Sequence, residues 1–258
     1  MAWPLIREYV LWLRGRAQYQ EALAILEGCE AAHATGERLA LALTFLGQML
    51  GQLAVRARDA EAMLDRAVSL AESENTQAFI LTEQGQLQAS QGKYPEAEAL
   101  LRRSLALKEK ALGTDHPSYG ASLHALAGVV SKQGKYPEAE ALLRRSLAID
   151  EKALGTDHPS LYPTLTNLAG IMAQLGELDP ALPLVERARS IAERTHGSVH
   201  PDVGQILSIQ AQIQAAQAHP QALSTAQQAV AILEQCLGSD HPVTEGARRF
   251  LGTLTPNR

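Results

Sequence analysis

Between Tyr119 and Leu154 the apolar positions fall into two stripes. Leu123, Leu126, Ala127 and Val130 recur at spacings of three, four and seven, which places them on one face of a helix. Ala139, Leu142, Leu143, Ser146 and Leu147 make a second stripe of the same kind. Gly134 breaks the chain between them, and Pro137 suits the first turn of the second helix, where its missing N–H costs little. Leu154-Gly155 closes that helix, with the glycine expected in the left-handed C-terminal conformation. Asp157-His158-Pro159 then restarts the chain. The pattern predicts a pair of antiparallel helices.

The pair is written more than once. The 28 residues Gln91–Ser118 return as Gln133–Ser160, differing only at Leu107/Ile149 and Lys108/Asp150. The period is 42 residues and extends beyond the copies, because Gly92, Gly134 and Gly176 keep it. So do the turns LGTDHP at 112–117, LGTDHP at 154–159 and HGSVHP at 196–201, while LGSDHP at 237–242 arrives one residue early. A fixed period of this length is the signature of stacked supersecondary units.

The pattern Leu-x-x-Leu-Ala…Gly-x-Tyr-x-x-Ala…Leu resembles the tetratricopeptide repeat, and the 42-residue form with LGTDHP resembles the kinesin light chain type, common in bacterial multi-repeat proteins. The strongest motifs cover 77–242, with Ala97, Ala139, Ala181 and Ala222 where paired helices must approach closely. The resemblance implies an all-α, right-handed α-solenoid of about six helix pairs in one continuous array over 1–258. The repeats are expected at 4–33, 38–72, 77–112, 119–154, 161–196 and 203–237, with a capping helix at 243–254. Ala22 and Ala60 take the close-contact position in the two weaker N-terminal units.

Composition narrows the function classes. The chain is 46% hydrophobic but 4% aromatic, and rich in helix formers. A net charge of −5 argues against a general nucleic-acid binder. Cys29 and Cys236 lie too far apart in sequence for a disulfide framework or a metal motif. The apolar patch in the first twenty residues is broken by Arg7, Glu8 and Arg14, and is expected to be too short and too charged for a signal peptide or membrane span. A cytoplasmic setting is expected.

Candidate chemistry is sparse. His116, His158, His200 and His241 recur in the turn, but equivalent residues of stacked repeats sit on the order of 15–20 Å apart, against metal–ligand bonds of about 2 Å. They are expected to be structural. Arg102-Arg103 and Arg144-Arg145 could form a phosphate stripe, yet Glu98 and Glu140 precede Arg102 and Arg144 by four residues, the favourable order for surface pairing. Trp3, Tyr9, Trp12 and Tyr19 suggest an N-terminal cap, or else a docking end. No phosphate loop, nucleophile elbow or zinc-protease motif is present. No enzyme activity, cofactor or metal is expected.

Within the copies, variation is concentrated in the first helix. YGASLHALAGVVSK (119–132) and LYPTLTNLAGIMAQ (161–174) agree at four of fourteen positions, three of them on the packing face. In tetratricopeptide arrays the first helices line the concave surface that binds extended peptides or partner helices. Carried over by position, the resemblance implies groove residues Thr44 and Gln48 in the second unit and Thr82, Glu83 and Gln86 in the third. His124, Ser131 and Lys132 follow in the fourth, Thr166, Asn167 and Gln174 in the fifth, and Gln205, Ser208 and Gln212 in the sixth. Asn167, in TNLAG, matches the asparagine with which family members hold a ligand backbone. The family's Lys/Arg carboxylate clamp is missing. The expected partner is another protein or a peptide segment. The alternatives are a regulatory subunit of a bacterial signalling or defence system, and self-assembly through the terminal helices, including Phe250 and Leu251.

Overall fold

The computed structural model describes residues 40–41, 43–45 and 57–255. The expected first helix pair, with Trp3, Tyr9, Trp12, Tyr19, Ala22 and Cys29, lies outside them, as does Gln48. The secondary structure of the described residues is helical, without a strand. The helices are α1 (Ala57–Leu70), α2 (Glu74–Ser90), α3 (Tyr94–Leu112), α4 (Pro117–Lys132), α5 (Tyr136–Leu154), α6 (Tyr162–Gln174), α7 (Leu178–His196), α8 (Pro201–Ala216), α9 (Ala222–Leu237) and α10 (Pro242–Leu254). A 3-10 turn, Pro159–Leu161, leads into α6. The second helices end at Leu112, Leu154, His196 and Leu237.

Contacts group the chain into two compact units, Met1–Val129 and Val130–Arg258. In the first, α2 packs on α1 and α3. Ala60, Ala78 and Ala97 are fully buried, so the small side chains do sit where backbones approach. Glu61 of α1 accepts from Gln91 Nε2 at 2.9 Å, Gln88 Nε2 at 3.2 Å and Lys93 Nζ at 3.3 Å, which ties α1 to the end of α2. The Gln91 hydrogen bond, helped by Lys93 and opposed by desolvation, holds this carboxyl below its ordinary pKa.

The same unit carries a buried polar seam. Lys108 Nζ donates to Ser122 Oγ at 2.6 Å and to the Ser118 carbonyl at 3.1 Å, and Thr82 Oγ1 lies 2.8 Å from Ser104 Oγ. Ser104 and Thr82 both donate to the Ala78 carbonyl, at 2.6 and 3.0 Å. Desolvation pushes the Lys108 pKa down, and the nearby Glu83 charge pulls it back up. Position 108 is one of the two at which the 28-residue copies differ, with Asp150 in the second copy. Asp150 is only half-buried, and desolvation pushes its pKa up.

In the second unit each helix from α5 to α10 packs on its neighbour in sequence. Ala139, Ala181, Leu143, Val185, Leu165 and Leu168 are among its most buried side chains. The stripe of α10 closes on α9 through Ala247, Val243 and Leu251 against Val230 and Leu233, so Leu251 is committed to the fold. Among the described residues no helix is long and apolar enough to cross a membrane.

Two kinds of helix end recur. First helices finish in a Schellman motif: Lys93 N–H bonds to Gln88 C=O and Gly92 N–H to Ala89 C=O, a pattern repeated around Gly134 and Gly176. The same bonds occur around Ala218, whose φ of 53° makes it the one non-glycine with positive φ among the described residues. Second helices end differently from the expectation. Gly155 has φ 85° but ψ 162°, so it is not left-handed helical; it lies in a region open essentially to glycine. Gly113, Gly197 and Gly238 do the same.

The early arrival of the last turn has a local cause. Lys135-Tyr136-Pro137-Glu138-Ala139 becomes His219-Pro220-Gln221-Ala222, one residue shorter, and α9 starts at the alanine. His219 Nδ1 accepts the Gln221 N–H at 3.3 Å in place of the missing turn.

Candidate functional site

The turn histidines cap helices. The Nδ1 atoms of His116, His158, His200 and His241 accept the N–H two residues on, at 3.1, 3.2, 3.2 and 3.3 Å. Each thereby satisfies one of the donors that a helix N-terminus leaves without an intrahelical partner. The arginine pairs serve the surface: Arg102 bonds Glu98 at 2.8 Å and Arg144 bonds Glu140 at 2.7 Å, both in the expected spacing.

The structure sorts the groove candidates by exposure. In the first unit Thr44 and Thr82 are buried, each hydroxyl donating to the carbonyl four residues back, so neither is presented to a ligand. Glu83 and His124 are half-buried and Gln86 is exposed. Desolvation holds the His124 imidazole below its ordinary pKa. In the second unit Asn167, Gln174, Gln205, Gln212 and Lys132 are exposed and Ser131, Thr166 and Ser208 half-buried. Thr166 and Ser208 spend their hydroxyl protons on Tyr162 and Gly204 carbonyls.

Three candidates come together. Thr166 and Asn167 of α6 and Gln205 of α8 line one pocket of about 210 Å³ with Tyr162, Pro163, Asp202 and Ile206. Sequence reasoning passed over the last four. The Tyr162 hydroxyl donates to Asp202 Oδ2 at 2.6 Å. Desolvation, then the hydrogen bond and charge of Asp202, push the phenol pKa up to about 12. Tyr162 is therefore a fixed donor at neutral pH, and Asp202 is the charged group of the lining.

A signal for both residues was present in the repeat. Asp202 stands where the previous copies have Ser118 and Ser160, and Tyr162 where its neighbours have Gly120 and Gly204. A Cβ at Gly204 would lie 2.7 Å from Leu233 Cγ. Allowing for the dropped residue, the pair corresponding to Gly204 and Leu233 one repeat earlier is Tyr162 and Ala192. Bulk stands on the first helix here, where the next repeat has glycine on the first helix and leucine on the second.

Beside the pocket, His196 and His200 stack with ring centroids 4.3 Å apart and planes 14° from parallel, and Tyr162 meets His196 edge-on at 5.7 Å. With Asp202 they form the group among the described residues whose spacing would suit a metal, with ligand atoms within 4.8 Å of one another. The arrangement does not fit one. Parallel rings direct their in-plane lone pairs side by side, whereas zinc needs both nitrogens converging at about 2.0–2.1 Å. His200 Nδ1 is also committed to the Asp202 N–H. The pairing is not that of a repeated row either, because His196 replaces the leucine found at 112 and 154.

Comparisons with known proteins agree with the helix pairs. A tetratricopeptide repeat family profile matches residues 76–152, 122–191 and 160–235. Nearly identical TPR-like repeats from Podosopora anserina, assigned provisionally to a kinesin light chain, are 27% identical, with a TM-score of 0.62 over 75% of this chain and 94% of that one. The signal transduction ATPase with numerous domains and a tetratricopeptide repeat sensor from Pyrococcus horikoshii gives a TM-score of 0.75 at 16% identity, over 96% of this chain and 37% of that one. YrrB, a TPR protein with an unusual peptide-binding site, gives 0.53 at 18% identity, over 81% and 92%. No curated protein sequence matches. With its profile covering more than half of the sequence, the chain belongs to the tetratricopeptide repeat family.

Proposed function

We propose that the chain is a non-catalytic binding scaffold of a bacterial cytosol. It holds an extended peptide, or an exposed segment of a partner protein, against the first helices of its repeats. The observation that carries this reading is the convergence of Thr166, Asn167 and Gln205 on one pocket between the first helices α6 and α8. Asn167 is exposed on that face, and its amide can donate to a peptide C=O and accept from a peptide N–H together. Backbone recognition of this kind needs an accessible polar line rather than a deep cavity. Gln174, Ser208 and Gln212 extend it along the same two helices, and Ser131 and Lys132 belong to the preceding first helix. Glu83, Gln86 and His124 are the corresponding candidates of the first unit.

A second reading, a regulatory or sensor subunit whose effector is another chain, draws on the likeness to a protein carrying a tetratricopeptide repeat sensor, a likeness of fold alone at 16% identity. It uses the same face and differs in the partner.

Affinity capture from host lysate with the wild type and the Thr166→Glu/Asn167→Arg variant tests the proposal. A partner lost with the variant, while helicity and melting are unchanged, supports the first-helix face. A partner retained equally by both removes it. An ATPase or protease as the captured partner favours the regulatory reading.

A further inference from the structure

The pocket between α6 and α8 carries one charge. Of its seven lining residues, Asp202 alone is ionic. Tyr162, Pro163 and Ile206 supply apolar wall, and Thr166, Asn167 and Gln205 supply neutral polar groups. Its volume of about 210 Å³ is below the ~300–1,000 Å³ usual for small-molecule sites. The space suits one side chain.

We propose that this pocket receives a cationic side chain of the bound segment, arginine or lysine, with Asp202 as its counter-charge. The proposal rests on the reading that this face binds a peptide, and adds the chemistry of one position in it. A basic side chain matches the lining part by part. Its aliphatic stem fits the apolar wall, as long charged side chains bury their stems while the head stays polar. Its head meets the carboxylate, and an aromatic face attracts a cation. An acidic side chain would face a like charge.

The carboxylate is held in place without being used up. The Tyr162 hydroxyl donates to Oδ2 at 2.6 Å, while His200 Nδ1 accepts the Asp202 backbone N–H. A carboxylate offers about four lone-pair sites. Acceptor capacity therefore remains for an N–H donor entering the pocket. Both members of the pair are departures from the repeat, Asp for Ser and Tyr for Gly. Tyr162 is not dictated by the repeat, since the next copy packs Gly204 against Leu233 at the equivalent place.

The test is selection of random short peptides, displayed on bacteriophage, on the full chain as wild type, Asp202→Asn and Tyr162→Phe. Asp202→Asn keeps shape and an acceptor for Tyr162 but removes the charge; Tyr162→Phe keeps the charge. The expected result is arginine or lysine enriched at one fixed position by about tenfold, the weight of one hydrogen bond to a charged group. That enrichment should vanish with Asp202→Asn and persist with Tyr162→Phe. Peptides selected without a basic position, or a basic preference unchanged in Asp202→Asn, overturn the pocket assignment and leave the peptide-binding face standing. No peptide selected by any of the three proteins overturns both.

Discussion

The Tyr162 hydroxyl reaches from the first residue of α6 to the carboxylate of Asp202 in the first turn of α8, 2.6 Å away. The bond joins the first helices of consecutive repeats. With the phenol pKa raised to about 12, the neutral form is favoured by folding. Its stabilisation is complete below the unfolded value near 10 and is lost as pH rises through about 12. Urea melts of the wild type and Tyr162→Phe should therefore converge above pH 10. Spectrophotometric titration, taken as the difference between wild type and Tyr162→Phe, should show the Tyr162 phenol ionising at about 12 and at lower pH in Asp202→Asn. A Tyr162 phenol unmoved by Asp202→Asn would contradict the bond.

At acid pH the sign reverses. Desolvation depresses the folded pKa of His124, so the unfolded chain binds the proton more readily. The stability tied to His124 is present above the ordinary value near 6.5 and is lost as pH falls toward the depressed one. His124→Gln should lose less stability than the wild type between pH 7 and pH 5. Equal losses would place His124 in water.

Ala218 occupies the glycine position of the Schellman motif with φ 53°. The left-handed region costs a side chain about 1–2 kcal/mol, and glycine gives back part of that through greater unfolded-chain entropy. Ala218→Gly should stabilise by about 0.5–1 kcal/mol, raising Tm by about 1–4 °C. Gly176→Ala should do the opposite.

Gln210 is buried on α8 with no partner for its Oε1, where the preceding copies have Leu126 and Leu168. An unpaired buried acceptor costs about 1–3 kcal/mol. Gln210→Leu should raise the denaturation midpoint without changing its slope. A lower midpoint would mean that the oxygen has a partner in water.

The repeat made the architecture legible because packing positions are forced to recur. Leu123 and Leu165, and Ala139 and Ala181, follow from period alone. Features made by departures from the period were not legible in the same way. Tyr162 and Asp202 were not singled out until folding set them side by side, because contact between first helices joins residues about one period apart. Thr44 and Thr82 show the reverse error. Their place on the first helix suggested exposure, but a hydroxyl that returns its proton to the carbonyl four residues back can be buried at little cost. The cap glycines misled by half: positive φ followed from residue type, while ψ depended on where the chain had to go next.

In the proposed function the α6–α8 face around Asn167 holds an extended backbone. The decisive measurement is calorimetric titration of a selected peptide into the wild type and Asn167→Ala. The expected result is an affinity loss of about tenfold or more, two amide hydrogen bonds being removed, with melting unchanged. Equal affinity for the two proteins would contradict it.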